Sequence, residues 1–191
     1  MQEEEEEPIV VPYFIDPSLG SLTSRITNAM DEIEDNSRIE FREMNYNGRE
    51  FLYITSGDGC YFSPYECFRQ QTCQPTVSLG AGCHNHGTML HELLHSIGFQ
   101  HEHQRHDRDT YIRVLLRNIT AEHRDQYTQL LARDFVWRVR DFDFDFSSIM
   151  MYDQREYSLN GEPTMIRLDG RQWRSNQNKL SRGDKDKLDS I

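Results

Sequence analysis

One stretch of this chain, from His91 to His101, carries three imidazoles, a carboxylate and a glycine at spacings that suit zinc chemistry. His91 and His95 are four residues apart, so on a helix both rings leave the same face, one turn apart. Glu92 stands beside the first of them and can reach a metal-bound water without being a ligand. Gly98 can take the left-handed conformation that ends a helix, after which His101 can approach the metal from a third direction. Three protein ligands leave a fourth position for water, which is typical of catalytic zinc.

The length of this motif separates it from chance. Two histidines at this spacing are usually polar residues on a solvated helix face, and His-Glu-x-x-His also occurs by coincidence in long sequences. The added Gly98 and His101 make coincidence improbable. The sequence therefore predicts one catalytic Zn²⁺ held by His91, His95 and His101.

The elements that must position this motif can be predicted from hydrophobic periodicity. An amphipathic helix is expected over residues 21–34, because apolar residues recur there at helical spacing. Strands are expected at 38–44, 50–55 and 74–79, and the first two are expected to form a hairpin about Asn47-Gly48. The zinc-motif helix should run from Gly87 to about Gly98.

The chain after the motif has little periodicity and is expected to be mostly irregular. One helix is predicted over residues 118–131, with Thr120 as its cap. A final short helix is predicted from Ser181 and Asp184, which have the spacing of a capping box. Sheet and long helices should therefore precede His101, and loops should follow it.

Further motifs show a resemblance to a known family. Glu102 directly follows the third predicted ligand, an Arg-x-Asp-Arg-Asp run spans residues 105–109, and Ser-Ile-Met-Met-Tyr occupies residues 148–152. Together with segments near residues 11–13, 56–60, 83–88 and 180–184, these resemble the astacin family of zinc endopeptidases, within the metzincins. The resemblance covers nearly the whole chain from about Val10.

The resemblance implies an α+β fold of the metzincin type with two lobes. The N-terminal lobe, about 10–101, would hold a twisted, mostly parallel β-sheet and two long helices. The C-terminal lobe, about 102–191, would be largely irregular with a short terminal helix. Residues 1–9, which include five consecutive glutamates, are expected to form an acidic, disordered tip ahead of this catalytic domain.

The resemblance also implies roles for single residues. Glu92 would be the general base, and later the general acid, acting on the zinc-bound water. Tyr152 would ligate zinc at rest and then donate to the oxyanion of the reacting substrate. Met150 would form a turn beneath the three imidazoles without being a ligand. His84, His86, His103 and His106 would lie around the site or on the surface.

Substrate binding follows the same expectation. A protein or peptide substrate would bind in extended form along an edge strand near Thr76–Leu79. Four polar residues fall where the pocket for the residue after the scissile bond would be built, and their basic members would favour acidic side chains: Arg167, Arg171, Arg174 and Gln177.

The N-terminal stretch departs from the family pattern. The family buries its mature amino terminus near the Glu that follows the third ligand. Here the stretch before Val10 is short and acidic, so the usual partner of Glu102 is expected to be missing.

Four cysteines lie in one window, at positions 60, 67, 73 and 83, and four cysteines allow 3 pairings. A second zinc site is an alternative, although no tight Cys-x-x-Cys is present. The resemblance implies that Cys60 pairs with Cys83, which leaves Cys67 with Cys73. Two disulfides and the sequon at Asn118 indicate a secreted protein from an oxidising compartment.

Composition narrows the classes of partner. The formal net charge of the 191 residues is −11, which argues against nucleic-acid binding because that requires a basic face. No window is apolar enough to span a membrane. The opening residues are unlike a signal peptide, so a signal and pro-segment are not expected in this chain. A monomer is expected.

Three functions can be compared with these motifs. A secreted zinc endopeptidase accounts for every motif. A catalytically inactive adhesion or inhibitory module with the same fold would be expected to have lost Glu92 or a ligand. A cysteine-stapled binding protein with structural zinc would need a fourth protein ligand.

Overall fold

A five-stranded sheet occupies the first half of the chain. The computed structural model describes residues 7–45, 50–67 and 73–191, and the side chains of residues 65–67 also lie outside its described part. The strand order is β2-β1-β3-β5-β4, and only β4 runs antiparallel to its neighbour. The strands are β1 (Ile9–Ile15), β2 (Ile39–Glu43), β3 (Leu52–Thr55), β4 (Cys60–Cys67) and β5 (Cys73–Leu79).

The predicted hairpin between β2 and β3 is wrong. Both strands pair with β1 and run parallel to it, one on each side, so they are not neighbours. The turn predicted at Asn47-Gly48 lies outside the described residues. Alternation of apolar and polar residues identifies a strand, but it does not say which strand is its neighbour, because that depends on how the faces of the strands pack. Here β1 pairs with β2 along one edge and with β3 along the other.

The predicted edge strand is also wrong. Thr76–Leu79 lies in β5, which is paired on one side with β3 and on the other with β4. The edge strand on this side of the sheet is β4, and β2 is the edge strand on the other side. The apolar burial of β5 is consistent with an interior position, because Thr76, Val77 and Leu79 are fully buried.

Two helices cover this sheet and pack against each other: α1 (Thr23–Glu34) and α2 (His86–Ser96). A 3-10 turn, Pro17–Leu22, leads into α1, which buries Ile26, Met30 and Ile33 at helical spacing. The predicted bounds of both helices hold to within two residues. The sheet and these helices share one apolar core.

The second half of the chain is built largely from short 3-10 turns. Its regular elements are a small antiparallel pair, β6 (Ile112–Val114) and β7 (Met165–Arg167), and one terminal helix, α3 (Arg182–Leu188). The helix predicted over 118–131 is confirmed only in part: Ala121–Tyr127 is a 3-10 helix with Thr120 at its N-cap position, and residues 128–131 are not helical. Thr120 makes no side-chain cap bond there; its hydroxyl bonds to His123 Nδ1 at 2.8 Å. The 3-10 turns lie at Glu102–Gln104, Arg108–Thr110, Leu116–Asn118, Ala121–Tyr127, Ala132–Asp134 and Val139–Asp141.

The terminal helix α3 begins as predicted. Ser181 is its N-cap, its hydroxyl accepts from the Asp184 backbone N–H at 2.9 Å, and the Asp184 carboxylate accepts from Ser181 N at 2.9 Å. This reciprocal pair is a capping box.

The disulfides and the sequon are the two features from which an oxidising compartment was predicted. Cys60 and Cys83 form a disulfide that ties the start of β4 to the segment before α2. Cys73 is disulfide-bonded and stands opposite Cys67 in the β4–β5 register, but the Cys67 side chain lies outside the described part. Asn118 is buried, and its Nδ2 donates to the Pro163 carbonyl at 2.7 Å, so the sequon residue has a structural role. Among the described residues, no helix is long and apolar enough to cross a bilayer.

Candidate functional site

Helix α2 and the turn that ends it bring the three motif histidines together. His91 and His95 lie on one face of α2, one turn apart. Gly98 has φ 98°, a left-handed conformation that lets the chain reverse without a Cβ clash. His101 follows directly and returns toward the same point. The predicted helix–turn–ligand arrangement is therefore present.

The three Nε2 atoms form a triangle with equal sides. The distances His91–His95, His91–His101 and His95–His101 are each 3.1 Å between Nε2 atoms. A tetrahedral zinc with bonds near 2.0–2.1 Å holds its ligand atoms about 3.3 Å apart, so the triangle fits this ion closely. These residues are the His/Cys/Asp/Glu group among the described residues that could hold a metal.

The other ring nitrogen of each histidine is held by an acceptor. His91 Nδ1 contacts the Ile149 carbonyl at 2.9 Å, and His95 Nδ1 contacts the Phe99 carbonyl at 2.7 Å. His101 Nδ1 contacts Gln104 Oε1 at 3.1 Å. Since carbonyl oxygens only accept, each Nδ1 carries the proton and each Nε2 presents a lone pair. Three lone pairs facing one point at 3.1 Å repel one another unless a cation lies between them.

Burial keeps these imidazoles in the ligand form. It lowers the pKa of His91, and together with the His91 charge it lowers the pKa of His95 to about 3. The pKa of His101 is also well below its ordinary value, first because of burial and then because of His95. Neutral imidazole is the form that binds a metal ion.

Glu92 is buried in the same cavity as the three histidines. Burial raises the pKa of its carboxyl to about 7, because the charged form loses its hydration. A dication at the imidazole triangle would lower this pKa again, because an opposite charge favours the carboxylate. The cavity therefore holds a carboxyl whose charge is sensitive to a bound cation.

Tyr152 and Met150 enclose the site from the second half of the chain. The Tyr152 ring packs against the rings of His101 and His103, with centroids 4.4 and 4.2 Å apart. Its pKa is raised, mainly by burial and next by Tyr157. Met150 is buried, and its carbonyl accepts from Glu102 N at 3.0 Å, which joins this turn to the third histidine's segment.

The edge strand borders the cavity that contains the histidines. This cavity has a volume of about 860 Å³ and opens between the start of β4, at Cys60–Phe62 and Pro64, and the far wall. That wall includes Tyr152, Tyr157 and His123. Tyr157 has φ 53°, an uncommon conformation for a tyrosine, and its ring stacks on His123 at 4.0 Å.

A smaller cavity of about 170 Å³ adjoins His91 and Glu92, and its lining contradicts the predicted basic pocket. It contains Asp153, Glu156 and Gln177 but none of the three predicted arginines. Arg167 and Arg171 pair with Asp169, and Arg174 lines a different cavity. Arg167 ends β7, and Arg171 and Arg174 lie in the irregular segment after it, whose path could not be predicted from spacing.

The smaller cavity contains the carboxyls of Asp153 and Glu156 in addition to that of Glu92. Within the described residues, no lysine or arginine pairs with Asp153 or Glu156. The pKa of Glu156 is raised, first by burial and then by the charge of Asp153. The cavity beside Glu92 is therefore acidic.

Glu102 has partners that the sequence did not indicate. Its carboxylate is buried and bonds to Arg105 Nη1 at 2.8 Å and to Lys187 Nζ at 2.7 Å. Two side chains therefore neutralise this carboxylate. Because residues 1–6 lie outside the described part, the expected absence of an N-terminal partner stays a prediction. Arg105 lies in the quoted motif, but no spacing or pattern distinguishes Lys187 from Lys185, the other lysine of α3.

A known protein family matches nearly the whole chain. The family described as Astacin, a peptidase family, matches residues 2–191. Blastula protease 10 of Paracentrotus lividus is 36% identical over 173 residues, which cover 85% of this chain and 27% of that protein. Astacin-like metalloprotease toxin 5 of Loxosceles gaucho is 38% identical over 151 residues, covering 78% of this chain and 77% of that protein.

A solved structure shares the fold. High choriolytic enzyme 1, a hatching enzyme zinc-protease from Oryzias latipes, superimposes with a TM-score of 0.81 at 28% identity, covering 95% of this chain and 88% of that chain. The mostly parallel sheet and the α+β class agree with the predicted fold. The chain spans about a quarter of the length of several relatives, 27% of the first and 26% of the next two.

Proposed function

Because this chain belongs to the astacin family, we propose that it is a zinc-dependent endopeptidase domain that hydrolyses peptide bonds in proteins. One observation carries the proposal: three neutral imidazole nitrogens converge at 3.1 Å spacing in a cavity that also contains the buried carboxyl of Glu92. This arrangement offers three ligands and an adjacent proton acceptor, with open space for a substrate.

In this proposal His91, His95 and His101 hold the zinc ion. When bound there, zinc supplies a Lewis acid that makes a water more acidic and polarises a carbonyl. The protein orients the three rings through the acceptors at their Nδ1 atoms, so the ligand atoms are positioned before the ion arrives.

Glu92 is proposed as the group that moves the proton. It takes a proton from the attacking water and later gives it to the leaving amine. Its position supports this role, because it follows His91 on α2, shares the cavity and is shielded from bulk water.

Tyr152 is proposed to stabilise the negative charge that develops on the substrate carbonyl oxygen, by donating its phenol hydrogen. Its ring lies against His101 and lines the same cavity. The raised pKa keeps the phenol protonated, as a donor must be. The further prediction that Tyr152 is a zinc ligand at rest belongs to the same proposal.

The substrate is proposed to lie along β4. An edge strand carries unpaired backbone N–H and C=O groups, and an extended peptide can bond to these by adding a strand. The start of β4 borders the cavity of the three histidines, so a peptide on this edge would pass the reacting groups.

The proposed domain covers residues 10–191, with lobes that meet near His101, and the protein is proposed to be secreted. The Cys60–Cys83 disulfide supports an oxidising compartment. The inactive adhesion module is not favoured, because Glu92 and all three histidines are in place.

Metal removal tests the proposal. A strong chelator should abolish cleavage of a protein substrate, and zinc added back to the apoprotein should restore it, with metal content measured in parallel. Undiminished cleavage by protein shown to be free of metal would overturn the proposed function.

A further inference from the structure

The residue directly after His101, the third proposed ligand, is Glu102, whose carboxylate is buried. The Glu102 side chain is 1% exposed, so its charge has lost nearly all contact with water. One oxygen accepts from Arg105 Nη1 at 2.8 Å and from Asp145 N at 2.9 Å. The other accepts from Lys187 Nζ at 2.7 Å. Both oxygens are therefore committed to specific donors.

Lys187 is equally buried and comes from the far end of the chain. Its side chain is 1% exposed, and its Nζ lies 4.4 Å from the centre of the Trp137 ring. A buried ammonium is unfavourable unless a carboxylate meets it at close range. Within the described residues its carboxylate partner is Glu102. The Lys187–Glu102 ion pair therefore fixes the position of α3 relative to the segment that contains Glu102.

The backbone of Glu102 is joined to the floor of the site. Its N–H donates to the Met150 carbonyl at 3.0 Å, and His101 is its immediate neighbour in sequence. Any shift of Glu102 toward or away from α3 therefore moves the third histidine and the turn at Met150 together.

The same face of α3 also contacts the segment that orients His91. Asp184 lies one turn before Lys187 and is fully buried. Its carboxylate accepts from Ser148 Oγ at 2.6 Å and from Ile149 N at 2.9 Å. The Ile149 carbonyl is the acceptor that orients His91. One helix face therefore contacts the segments that set two of the three imidazoles.

From these contacts we propose that Lys187 is a positioning residue of the zinc site: its ion pair with Glu102 sets His101 at the spacing that the ion requires. This inference rests on the proposed function only in taking zinc as the ion. It assigns a role in metal binding to a lysine on the last helix that touches neither metal nor substrate.

Zinc affinity, measured by competition with a chromophoric chelator, tests the proposal without reference to activity. Lys187→Met should weaken zinc binding about tenfold, the lower end of the effect of groups that orient ligands. Lys185→Met is the matched control, because Lys185 is on the same helix but exposed. It should bind zinc as the parent does.

A second variant covers the case in which Lys187→Met does not fold. Glu102→Gln combined with Lys187→Met removes both charges of this ion pair, while Arg105 keeps its ion pair with Asp107, and this is tolerated far better than removing the lysine charge alone. It should fold and still bind zinc about tenfold more weakly. The absorption of its cobalt(II) form should differ in band position from that of the parent, since that spectrum depends on ligand geometry.

The outcomes separate the two proposals. Parent-like zinc affinity and cobalt spectrum in a folded Lys187 variant would overturn the positioning role and leave the proposed function intact, even if the variant unfolds more readily. A parent protein that binds no zinc would overturn both. Weaker zinc binding in both Lys187 variants, but not in Lys185→Met, supports the proposal.

Discussion

The two halves of this molecule satisfy their backbone polar groups in different ways. Up to Phe99, strand ladders and two helices pair most N–H and C=O groups with one another. After His101, buried side chains form many of the hydrogen bonds to backbone groups. Arg105 donates to the carbonyls of Val139, Phe142 and Asp143, and Arg108 donates to two more.

This difference shows what an irregular region needs in order to be rigid. A segment without a ladder must still bond its buried polar groups, and long charged side chains can reach several of them at once. The first half should therefore be sensitive to changes in apolar volume and the second half to changes in charge. The site lies where the halves meet, with His91 and His95 on α2 and His101 at the start of the irregular part.

The largest expected effect concerns the reacting group that the regular half supplies. Glu92→Gln keeps the size of the side chain and removes its basicity, so turnover should fall by about 10²–10⁴-fold. Zinc content should be unchanged, because the three ligands are untouched, and this measurement is the control. A variant that cleaves within a few-fold of the parent would remove Glu92 from the mechanism.

The next largest effect should be a loss of stability in the irregular half. Arg105→Met removes one of the donors to Glu102, the ion-pair partner of Asp107 and the donor to several carbonyls. Because the Arg105 side chain is 1% exposed, the free energy of unfolding should fall by about 3–5 kcal/mol. Denaturant unfolding measures this. Arg42→Met is the control, because Arg42 pairs with Glu40 at an exposed site, and it should change nothing measurable. Equal effects for the two variants would contradict the contrast between the halves.

Tyr152→Phe measures the catalytic contribution of the irregular half and sharpens the comparison with Glu92. Loss of one donor to the developing oxyanion should lower kcat by about 10²–10³-fold, with KM little changed. Steady-state kinetics on a peptide substrate distinguish the possibilities. A higher KM at unchanged kcat would assign Tyr152 to substrate binding or packing instead.

The smallest effect concerns the acidic cavity beside Glu92. Because no lysine or arginine in the described part of the chain pairs with Asp153 or Glu156, a peptide with lysine after the scissile bond should be cleaved up to about fivefold better than one with glutamate, as suits partly exposed charges. Glu156→Gln should narrow this difference, whereas Glu162→Gln, at an exposed position outside the cavity, should not. A preference for the glutamate peptide would contradict the electrostatic argument.

Local signals were enough for several parts of the fold. Periodicity located α1, and the spacing of His91, His95, Gly98 and His101 predicted a helix, a turn and a convergent site. The capping-box residues Ser181 and Asp184 correctly marked the start of α3. In each case the interacting groups are within a few residues of one another, so their spacing determines their geometry.

Long-range partners were not predictable in this way. The hairpin, the edge strand at Thr76–Leu79 and the arginine pocket were all wrong, because each required knowing which distant segment lies alongside. Alternation does not say that β1 separates β2 from β3. The spacing of Arg167, Arg171 and Arg174 does not say that a nearby aspartate holds two of them away from Glu92.

By itself, then, the sequence determined the chemistry: two imidazoles and a carboxylate on one helix, a glycine where the chain must reverse, and a third imidazole just after it. Only the tertiary structure decided what holds that chemistry in place. Lys187 reaches Glu102 across 85 positions of sequence. Such a pair is selected by burial, because two charges removed from water must meet at close range wherever the folded chain brings them, and no local pattern records where that is.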